Sequence, residues 1–424
     1  MITAAPPSST QTPNEEDVSV KHARAIHERV LTLDSHIDFT PADLISERNY
    51  TQRLDTQFNL PKMIDGGLDG LFFSIFVAQT RESQNAEALK APGYKRAYHR
   101  AIEKFDAVHH FTHVIAPEKV ELAFSAVDAR RISAEGKKIA FMGVENGYAL
   151  GEDLRVVKEF YDRGARYLSL THNGHNQLAD SHTGERDGWK WHGVSPLGEQ
   201  VIAAMNRLGI MVDVSHGSKD AMMQIATLSK APIIASHSAV RALCEVSRNM
   251  DDEQLLALQK TGGVIQVVAY NGFIKTTKAE SPERLSALAA LRKEYDIPET
   301  NGPGQRARLP LALKDWPDER RGQFESRIAE IDKQYPGEMP ATLKDFVDHI
   351  DYAVNLIGID HVGISSDFDG GGGVIGWNDA TETFAVTLEL IRRGYTEAQI
   401  EKLWGENLLR VMGEAERIAR ELQK

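Results

Sequence analysis

The residues best suited to chemistry in this sequence follow short apolar runs. Six such runs end at or next to a histidine or an acidic residue: LTLDSHID, KIAFMGVEN, YLSLTHN, IMVDVSH, PIIASHS and HVGISSDFD. The residues concerned are His36, Asp38, Glu145, His172, His216, His237 and Asp367. Near-continuous apolar runs are typical of buried parallel strands, and a barrel of such strands carries its chemistry at their C-terminal ends. The pattern therefore predicts the active site of a metal-dependent hydrolase.

Five of these residues are candidate zinc ligands: His36, Asp38, Glu145, His216 and His237. Imidazole nitrogens and carboxylate oxygens are its usual ligands, and alternation along a strand places His36 and Asp38 on one side. A single His-x-Asp pair is weak evidence, because a hydrogen-bonded buried pair has the same spacing. The full set predicts two ions, one held by His36, Asp38 and Glu145 and the other by Glu145, His216 and His237. Two ions about 3.5–4 Å apart can hold a bridging hydroxide and polarise a carbonyl.

His172 and Asp367 remain at the ends of two further runs. A histidine beside the metals can donate a hydrogen bond to the oxyanion of a tetrahedral intermediate. An aspartate beside the bridging water can take its proton and pass it to the leaving amine. A core histidine and a helix-capping aspartate are the alternatives. Other histidines lie in helical or loop stretches, where roles at the surface or beside the ligands are expected; they include His109, His110, His175 and His182.

Eight strand candidates supply the scaffold for these residues. They are residues 30–36, 69–77, 138–144, 166–171, 209–214, 232–236, 263–269 and 361–366. Helical patterns separate them, as at 195–209, 218–231 and 251–263, and residues 381–422 read as two helices that close the ring. Alternating strands and helices predict a parallel sheet, and eight repeats are the number that closes a (β/α)8 TIM barrel.

Two gaps between strands are too long for a simple crossover. Residues 80–137 contain the helical stretch AYHRAIEKFDAVHHF, and residues 274–345 hold two charged helical segments. The second gap follows strand seven, so it is an insertion on the catalytic face that could serve as a lid, an oligomer contact or a decoration. The run Gly370–Gly373 lacks the Lys-Ser/Thr pair of a phosphate loop, and we interpret it as a flexible loop near the site.

Composition excludes several classes of protein. The net charge of −12 disfavours nucleic-acid binding, and no apolar run is long enough to span a membrane. Cys244 is the only cysteine, so neither an internal disulfide nor a thiolate zinc site is expected. Residues 1–20 are expected to be disordered, followed by a single catalytic domain over 21–424. No signal peptide is visible, so the chain as it stands is expected to be soluble and cytoplasmic, or periplasmic or otherwise exported if a signal has been trimmed.

The motifs together resemble those of a known family. The strings DSHID, GVENG, YLSLTHN, DVSHGS, ASHSA, SRNM and SDFDG are similar to those of the membrane (renal-type) dipeptidases, peptidase family M19 of the amidohydrolase superfamily. The similarity runs from about residue 30 to 273 and again from 345 to 415. It implies a dinuclear zinc dipeptidase with a barrel of the metal-dependent hydrolase type, in which Glu145 bridges the two ions.

The resemblance also assigns roles to the remaining residues. His172 matches the histidine that binds the substrate carbonyl, and Asp367 matches the aspartate that shuttles the proton. Arg248 matches the arginine that grips the terminal carboxylate of the substrate, with Tyr270 assisting it. On the residues alone, Arg248 reads as a solvated loop arginine. The family further implies a small dipeptide substrate, tolerance of a D-amino acid at its C-terminal position, and a homodimer.

Several features depart from the family pattern. Ser35 and Ile37 occupy the variable places of a motif that often reads Asp-Gly-His-Asn-Asp, while both liganding positions are kept. The insertion at 274–345 is longer than expected, and the chain lacks a hydrophobic C-terminal tail and the cysteines for disulfide links. These features favour a bacterial soluble homologue without a lipid anchor.

Two alternatives to a dipeptidase stay open. The same site could act on an N-acyl amino acid, a lactam or a modified peptide in a biosynthetic pathway. An inactive metal-binding scaffold is the alternative from another class. It is disfavoured because His172 and Asp367 are both present and have no structural need to persist together.

Overall fold

Eight parallel strands form a nearly closed barrel. The computed structural model describes residues 15–80, 87–276, 281–297 and 316–424. Its strands are β1 Leu33–Ile37, β2 Gly70–Phe76, β3 Val120–Leu122, β4 Lys138–Glu145, β5 Ala165–Ser169, β6 Met211–Asp213, β7 Ile234–Ser238, β8 Val264–Val268 and β9 Val362–Ser365. The barrel order is β1-β2-β4-β5-β6-β7-β8-β9, with β3 paired only to β4. All eight strand candidates and the barrel prediction are therefore confirmed. Strand β3 was missed because three residues are too few to give a pattern.

The first and last strands meet at their C-terminal ends. The backbone N–H of Asp38 donates to the carbonyl of Phe368 at 2.8 Å, and that of Asp367 donates to the carbonyl of His36 at 3.1 Å. These bonds place the residues after β1 beside the residues after β9. Because both segments carry expected site residues, the seam between β1 and β9 helps to build the site.

The helices between the strands follow the sequence signals closely. The helix Pro196–Leu208 begins after Ser195, whose side chain accepts from the backbone N–H of Gly198, and ends at the left-handed Gly209. The other longer helices around the barrel are Ala91–His110, Ala126–Ala134, Arg155–Asp162, Lys219–Leu228, Asp252–Lys260, Leu343–Ile357, Thr383–Arg392 and Asn407–Leu422. Shorter α-helices are Pro41–Ile45, Leu60–Gly66, Gly184–Asp187, Asn271–Ile274 and Glu397–Glu401. A turn at Gly394 and Tyr395 divides residues 381–422 into the two expected helical stretches, and a π-helix, Lys402–Glu406, interrupts the second between Glu397–Glu401 and Asn407–Leu422.

Aromatic side chains fill the barrel on the side of the strand starts. The rings of Phe72 and Phe141 stack at 4.6 Å between centroids, and the ring of Tyr167 lies 5.2 Å from that of Phe72. A side chain at Gly143 would collide with Tyr167, so this glycine makes room for the ring. Residues two apart on a strand share a face, so Phe141 and Glu145 of β4 point to the same interior. The packed aromatic layer leaves the strand ends as the open side of the barrel.

The insertion after β8 has a small apolar cluster of its own. Its described helices, Pro282–Glu294 and Asp318–Gln334, agree with the two predicted helical segments. The cluster is formed by Leu291, Ile297, Phe324 and Ile331. Residues 277–280 and 298–315 of the insertion lie outside the described residues. The expected organisation as one domain with an insertion stays a prediction.

The first described helix overlaps the end of the expected tail. It spans Glu15–His27, and the expected boundary at residue 20 stays a prediction. The rest of the expected tail lies outside the described residues. None of the helices in the described ranges combines the length and apolar character that crossing a bilayer requires.

Candidate metal centre

Three histidine side chains converge on one buried carboxylate. Nε2 of His216 lies 3.0 Å and Nε2 of His237 lies 3.3 Å from Oε1 of Glu145. Nε2 of His36 lies 3.4 Å from the other oxygen, Oε2. His36, His237 and Glu145 belong to β1, β7 and β4, and His216 follows β6. The strand ends therefore bring together four of the five expected ligands.

Hydrogen bonds fix the tautomers of His36 and His216. Nδ1 of His36 lies 2.8 Å from the Tyr167 hydroxyl, which itself donates to the carbonyl of Ser35 at 3.2 Å. The tyrosine oxygen therefore accepts from Nδ1. Nδ1 of His216 lies 3.1 Å from the side-chain oxygen of Asn173, which is also an acceptor. With the proton on Nδ1, Nε2 has a free lone pair for a metal ion.

His237 is fixed in the same way through a serine and a buried acid. Its Nδ1 lies 2.8 Å from Oγ of Ser236, and that hydroxyl donates to Oδ2 of Asp213 at 2.6 Å. The Ser236 oxygen is therefore an acceptor for the Nδ1 proton. All three imidazoles thus direct Nε2 toward Glu145, as metal-ligating histidines do.

The two carboxylate oxygens of Glu145 face different partners. Its Oε1 faces His216 and His237, while its Oε2 faces His36 and accepts a hydrogen bond from the Ser74 hydroxyl at 3.1 Å. Each oxygen is thus available to a different set of histidines. This arrangement suits two ions that share one carboxylate.

Protonation states in the site follow from burial and from mutual charge. Burial opposes the charged form of Glu145, but His36 and the other imidazoles hold the pKa of this carboxyl well below its usual range. Burial keeps the pKa values of His216 and His237 well below the ordinary value, so both are neutral at pH 7. Burial also lowers the pKa of His36, yet the charge of Glu145 outweighs it and raises that pKa to about 9. A metal ion at Nε2 would compete with this proton.

Two buried atoms in the site fit a metal ion. Within the described part of the chain, Nε2 of His36 and Oδ1 of Asp38 have no hydrogen-bond partner. Unpaired buried polar atoms are costly, and ligation by a cation would satisfy both. Potential ligand atoms lie within 4.8 Å of one another in three overlapping groups: His36, Glu145 and His237; Glu145, His172 and His216; His36, Asp38 and Asp367. The residues present therefore fit a centre with more than one ion.

Asp367 and His172 border this cluster. Oδ1 of Asp367 lies 3.9 Å from Nε2 of His36, and Nε2 of His172 lies 3.7 Å from Oε1 of Glu145. Burial, and the charges of Asp38 and Glu145, raise the pKa of Asp367 well above its usual value. Burial lowers the pKa of His172, which favours its neutral form. The pair therefore offers a carboxyl that can hold a proton and a neutral imidazole.

The glycine run after β9 is packed around Asp367 and is not the flexible loop that we expected. The backbone N–H groups of Gly370 and Gly372 donate to the carbonyl of Asp367 at 3.1 and 2.9 Å, and that of Gly373 donates to Ala269. A side chain at Gly370 would collide with the carboxylates of Asp38 and Asp367. Asp367 itself has a left-handed φ of 56°, which the tight turn imposes. The glycines are thus required by close packing.

Arg248 lies beside His237 and is 4 % exposed. Its Nη1 donates to the Ser238 hydroxyl at 2.7 Å and its Nη2 to the carbonyl of His237 at 2.6 Å. Burial lowers the pKa of Arg248 to about 10, so its guanidinium is positively charged at neutral pH. The guanidinium carbon lies 5.3 Å from the ring centroid of Phe273, and that ring stacks on Tyr270 at 4.2 Å. Arg248 and Tyr270, the expected carboxylate-binding residues, are therefore connected through Phe273 at the edge of the group of histidines and carboxylates.

Several residues of the site were not identified from the sequence. Asn173 follows His172 and Ser236 precedes His237 in the sequence, and this adjacency could have identified both residues. Tyr167 gave no signal, because an aromatic residue within a strand usually reads as core. Of the other histidines, His182 lies 2.8 Å from the side-chain oxygen of Asn173, in a position beside a ligand.

A parallel barrel with histidines and carboxylates clustered at its strand ends defines a metal-dependent hydrolase. The model of the membrane dipeptidase family, peptidase family M19, matches residues 20–424, and the chain belongs to this family. Membership confirms the resemblance of the motifs and makes the chain a metallo-dipeptidase by class.

Individual relatives agree with this assignment. The probable dipeptidase PvdM from Pseudomonas aeruginosa is 36 % identical, with a TM-score of 0.74, covering 95 % of this chain and 99 % of that one. Dipeptidase aclJ of Aspergillus oryzae is 28 % identical over 410 residues, which is 93 % of this chain and 80 % of that protein. A metallo peptidase from Rhodobacter sphaeroides, solved with a phosphinate mimic of the dipeptide L-Ala-D-Ala, shares the fold at a TM-score of 0.67 and 22 % identity, covering 91 % of this chain and 99 % of that one.

Proposed function

We propose that this chain is a dinuclear zinc dipeptidase that hydrolyses the amide bond of small dipeptides. The orientation of Glu145 carries the proposal, because its two carboxylate oxygens face different histidines. One ion would be held by His36, Asp38 and Glu145, and the other by Glu145, His216 and His237. When bound, two zinc ions supply Lewis acidity, which polarises a carbonyl and activates water.

The other residues of the site position the substrate and move its protons. Arg248 binds the terminal carboxylate through charge-assisted hydrogen bonds, and Tyr270 borders the same place. His172 donates a hydrogen bond to the oxygen of the scissile carbonyl, which gains negative charge in the transition state. Asp367 takes a proton from the attacking water and gives it to the leaving amine. The raised pKa of Asp367 supports this role, because the carboxyl can hold the proton between the two transfers.

The substrate would tolerate a D-amino acid at its C-terminal position. The contacts assigned to Arg248 and His172 engage the carboxylate and the carbonyl, and neither requires a particular placement of the second side chain. The Rhodobacter sphaeroides relative, bound to a mimic of L-Ala-D-Ala, supports this part of the proposal. Inversion at the first residue would displace the amine beside Asp367, so D-Xaa-L-Xaa dipeptides should be poor substrates.

Metal content tests the core of the proposal. Elemental analysis of active protein should give two zinc ions per chain, and Glu145→Gln should lose at least one of them. Glu330→Gln, on an exposed side chain of the insertion, is the matched control and should keep both. One ion per active chain, unchanged by Glu145→Gln, would contradict the dinuclear centre.

A substrate panel tests the specificity. Free L-Xaa-L-Xaa and L-Xaa-D-Xaa dipeptides should be cleaved, whereas dipeptide amides, which lack the carboxylate for Arg248, should be poor substrates. Faster cleavage of N-acyl amino acids than of any free dipeptide would favour the alternative amidohydrolase. Equal rates for a dipeptide and its amide would remove Arg248 from substrate binding.

We also propose a homodimer, on the basis of the family resemblance. Light scattering should then give a mass twice that of the 424-residue chain. A monomer at the concentrations used for activity would refute it.

A further inference from the structure

Lys104 places a buried ammonium group next to the metal centre. It lies on the helix Ala91–His110, and its side chain is only 13 % exposed. Its Nζ donates to the backbone carbonyl of Ser74 at 3.1 Å and lies 3.9 Å from Oδ1 of Asp38. The ring of Phe39 lies 4.5 Å from the same nitrogen. No role in the proposed reaction involves this lysine.

The position of Lys104 links it to both carboxylate ligands. Asp38 is its nearest acidic partner, and Oδ1 of Asp38 has no hydrogen-bond partner among the described residues. Ser74, whose carbonyl accepts from Lys104, donates its hydroxyl to Oε2 of Glu145 at 3.1 Å. The ammonium is thus close to Asp38 directly and is connected to Glu145 through Ser74.

Burying a lysine without a close ion pair is unfavourable. A charged amine loses its hydration on burial, and the loss is recovered only through good partners. Among the described residues, Lys104 has one carbonyl, one carboxylate beyond hydrogen-bond distance and the rings of Phe39 and Phe76, which together compensate little of the lost hydration. A shift of about 1 Å would bring Nζ into hydrogen-bond range of Asp38. The arrangement suits a lysine that restricts the orientation of the Asp38 carboxylate while that carboxylate also binds a metal ion.

We propose that Lys104 is a positioning residue that holds Asp38 in the orientation in which it ligates a metal ion. The inference rests on the proposed dinuclear centre. Lys104 faces Oδ1 of Asp38, the oxygen that has no hydrogen-bond partner among the described residues. A carboxylate oxygen has two lone pairs, so it can face the ammonium with one and an ion with the other. It acts through Asp38 and contacts neither the substrate nor the ions.

Zinc binding to the metal-free protein tests this role. In a calorimetric titration with zinc alone, Lys104→Met should bind one of the two ions about 10- to 100-fold more weakly, the usual cost of losing such a partner. The other ion should bind as in the unchanged protein. Lys95→Met removes an exposed lysine from the same helix and should bind both ions normally. Equal affinities in Lys104→Met and Lys95→Met would overturn the proposal, as would tighter binding, which would mean that repulsion between the ammonium and zinc dominates.

Two further variants separate charge from packing. Lys104→Arg keeps the positive charge and should recover at least part of the lost affinity; binding as weak as in Lys104→Met would assign the effect to packing and refute the proposal. In an Asp38→Asn background, Lys104→Met should cause no further loss, because its route to the ion is already removed. Additive losses would place the action of Lys104 elsewhere.

The same titration keeps the two proposals apart. Unchanged protein that takes up fewer than two zinc ions contradicts the dinuclear centre itself. Unchanged protein that takes up two, with Lys104→Met indistinguishable from it, contradicts only the role of Lys104.

Discussion

The metal centre has two sides that are held in different ways. On the histidine side, formed by His36, His216 and His237, each imidazole has a hydrogen-bond partner at Nδ1. On the carboxylate side, formed by Asp38 and Asp367, Oδ1 of Asp38 has no such partner within the described ranges, and Asp367 is placed by a tight backbone turn. Side-chain hydrogen bonds therefore orient the histidines, whereas the carboxylates depend on the backbone turn, on close packing and, in our proposal, on Lys104.

The largest effect should come from removing Asp367, the proposed proton carrier on the carboxylate side. Asp367→Asn keeps the size of the side chain and loses its basicity, so kcat should fall by about 10²–10⁴-fold. Zinc content should stay at the native level, since Asp367 is outside the proposed ligand set. Near-native turnover would show that Asp367 takes no part in the reaction. A loss of zinc equal to the loss of activity would show that Asp367 is a metal ligand.

Crowding the carboxylate side should have the next largest effect. Gly370→Ala adds a methyl group that would collide with Asp38 and Asp367. Displacing catalytic groups by about 1 Å can cost about 10²-fold, and kcat/KM should fall by that order. Gly322→Ala is the control, because nothing lies within 4 Å of a side chain there. Native activity in Gly370→Ala would mean that the turn after β9 can shift without displacing Asp38 and Asp367. Close packing would then not be what holds the carboxylate side.

On the histidine side, Ser236→Ala removes the acceptor at Nδ1 of His237. The imidazole then loses its fixed tautomer, and zinc affinity should fall by about 10- to 100-fold. Because the loss concerns binding, activity should recover at saturating zinc. Ser326→Ala, on an exposed residue of the insertion, should match the unchanged protein. If saturating zinc does not restore activity, Ser236 does more than orient its neighbour.

The smallest effect, taken per pH unit, is a pH dependence of zinc binding. Since the pKa of His36 is raised to about 9, this side chain is protonated at neutral pH in the metal-free protein. Zinc must displace that proton, so affinity should rise by as much as about tenfold per pH unit up to pH 9 and level off above it. Calorimetry in two buffers of different ionisation enthalpy measures the proton released. Affinity that is flat between about pH 7 and 9 would show that His36 is neutral.

The sequence was sufficient to predict the barrel and to single out polar residues at its strand ends that the fold brings together. Apolar runs mark buried strands, and a polar residue such as Glu145 or His237 at the end of such a run contributes little to packing, which favours a chemical role. The partners behind the ligands were harder to find, because Tyr167 looks like any core aromatic residue. Lys104 was missed although its spacing from Ala97 and Ala101 places it on the buried face of its helix, since lysine is rarely read as buried. The glycine run was misread because close packing and flexibility favour the same residue.

The seam between β1 and β9 has a consequence for biosynthesis. It joins His36 and Asp38, near the start of the chain, to Asp367 and Phe368, more than three hundred residues later. A ribosome-bound chain can therefore pair the early strands but cannot assemble the carboxylate side until the last strand has emerged. Contacts of such large sequence separation also slow folding. The two sides of the centre can therefore come together only after residues 362–368 have left the ribosome, long after the first strand.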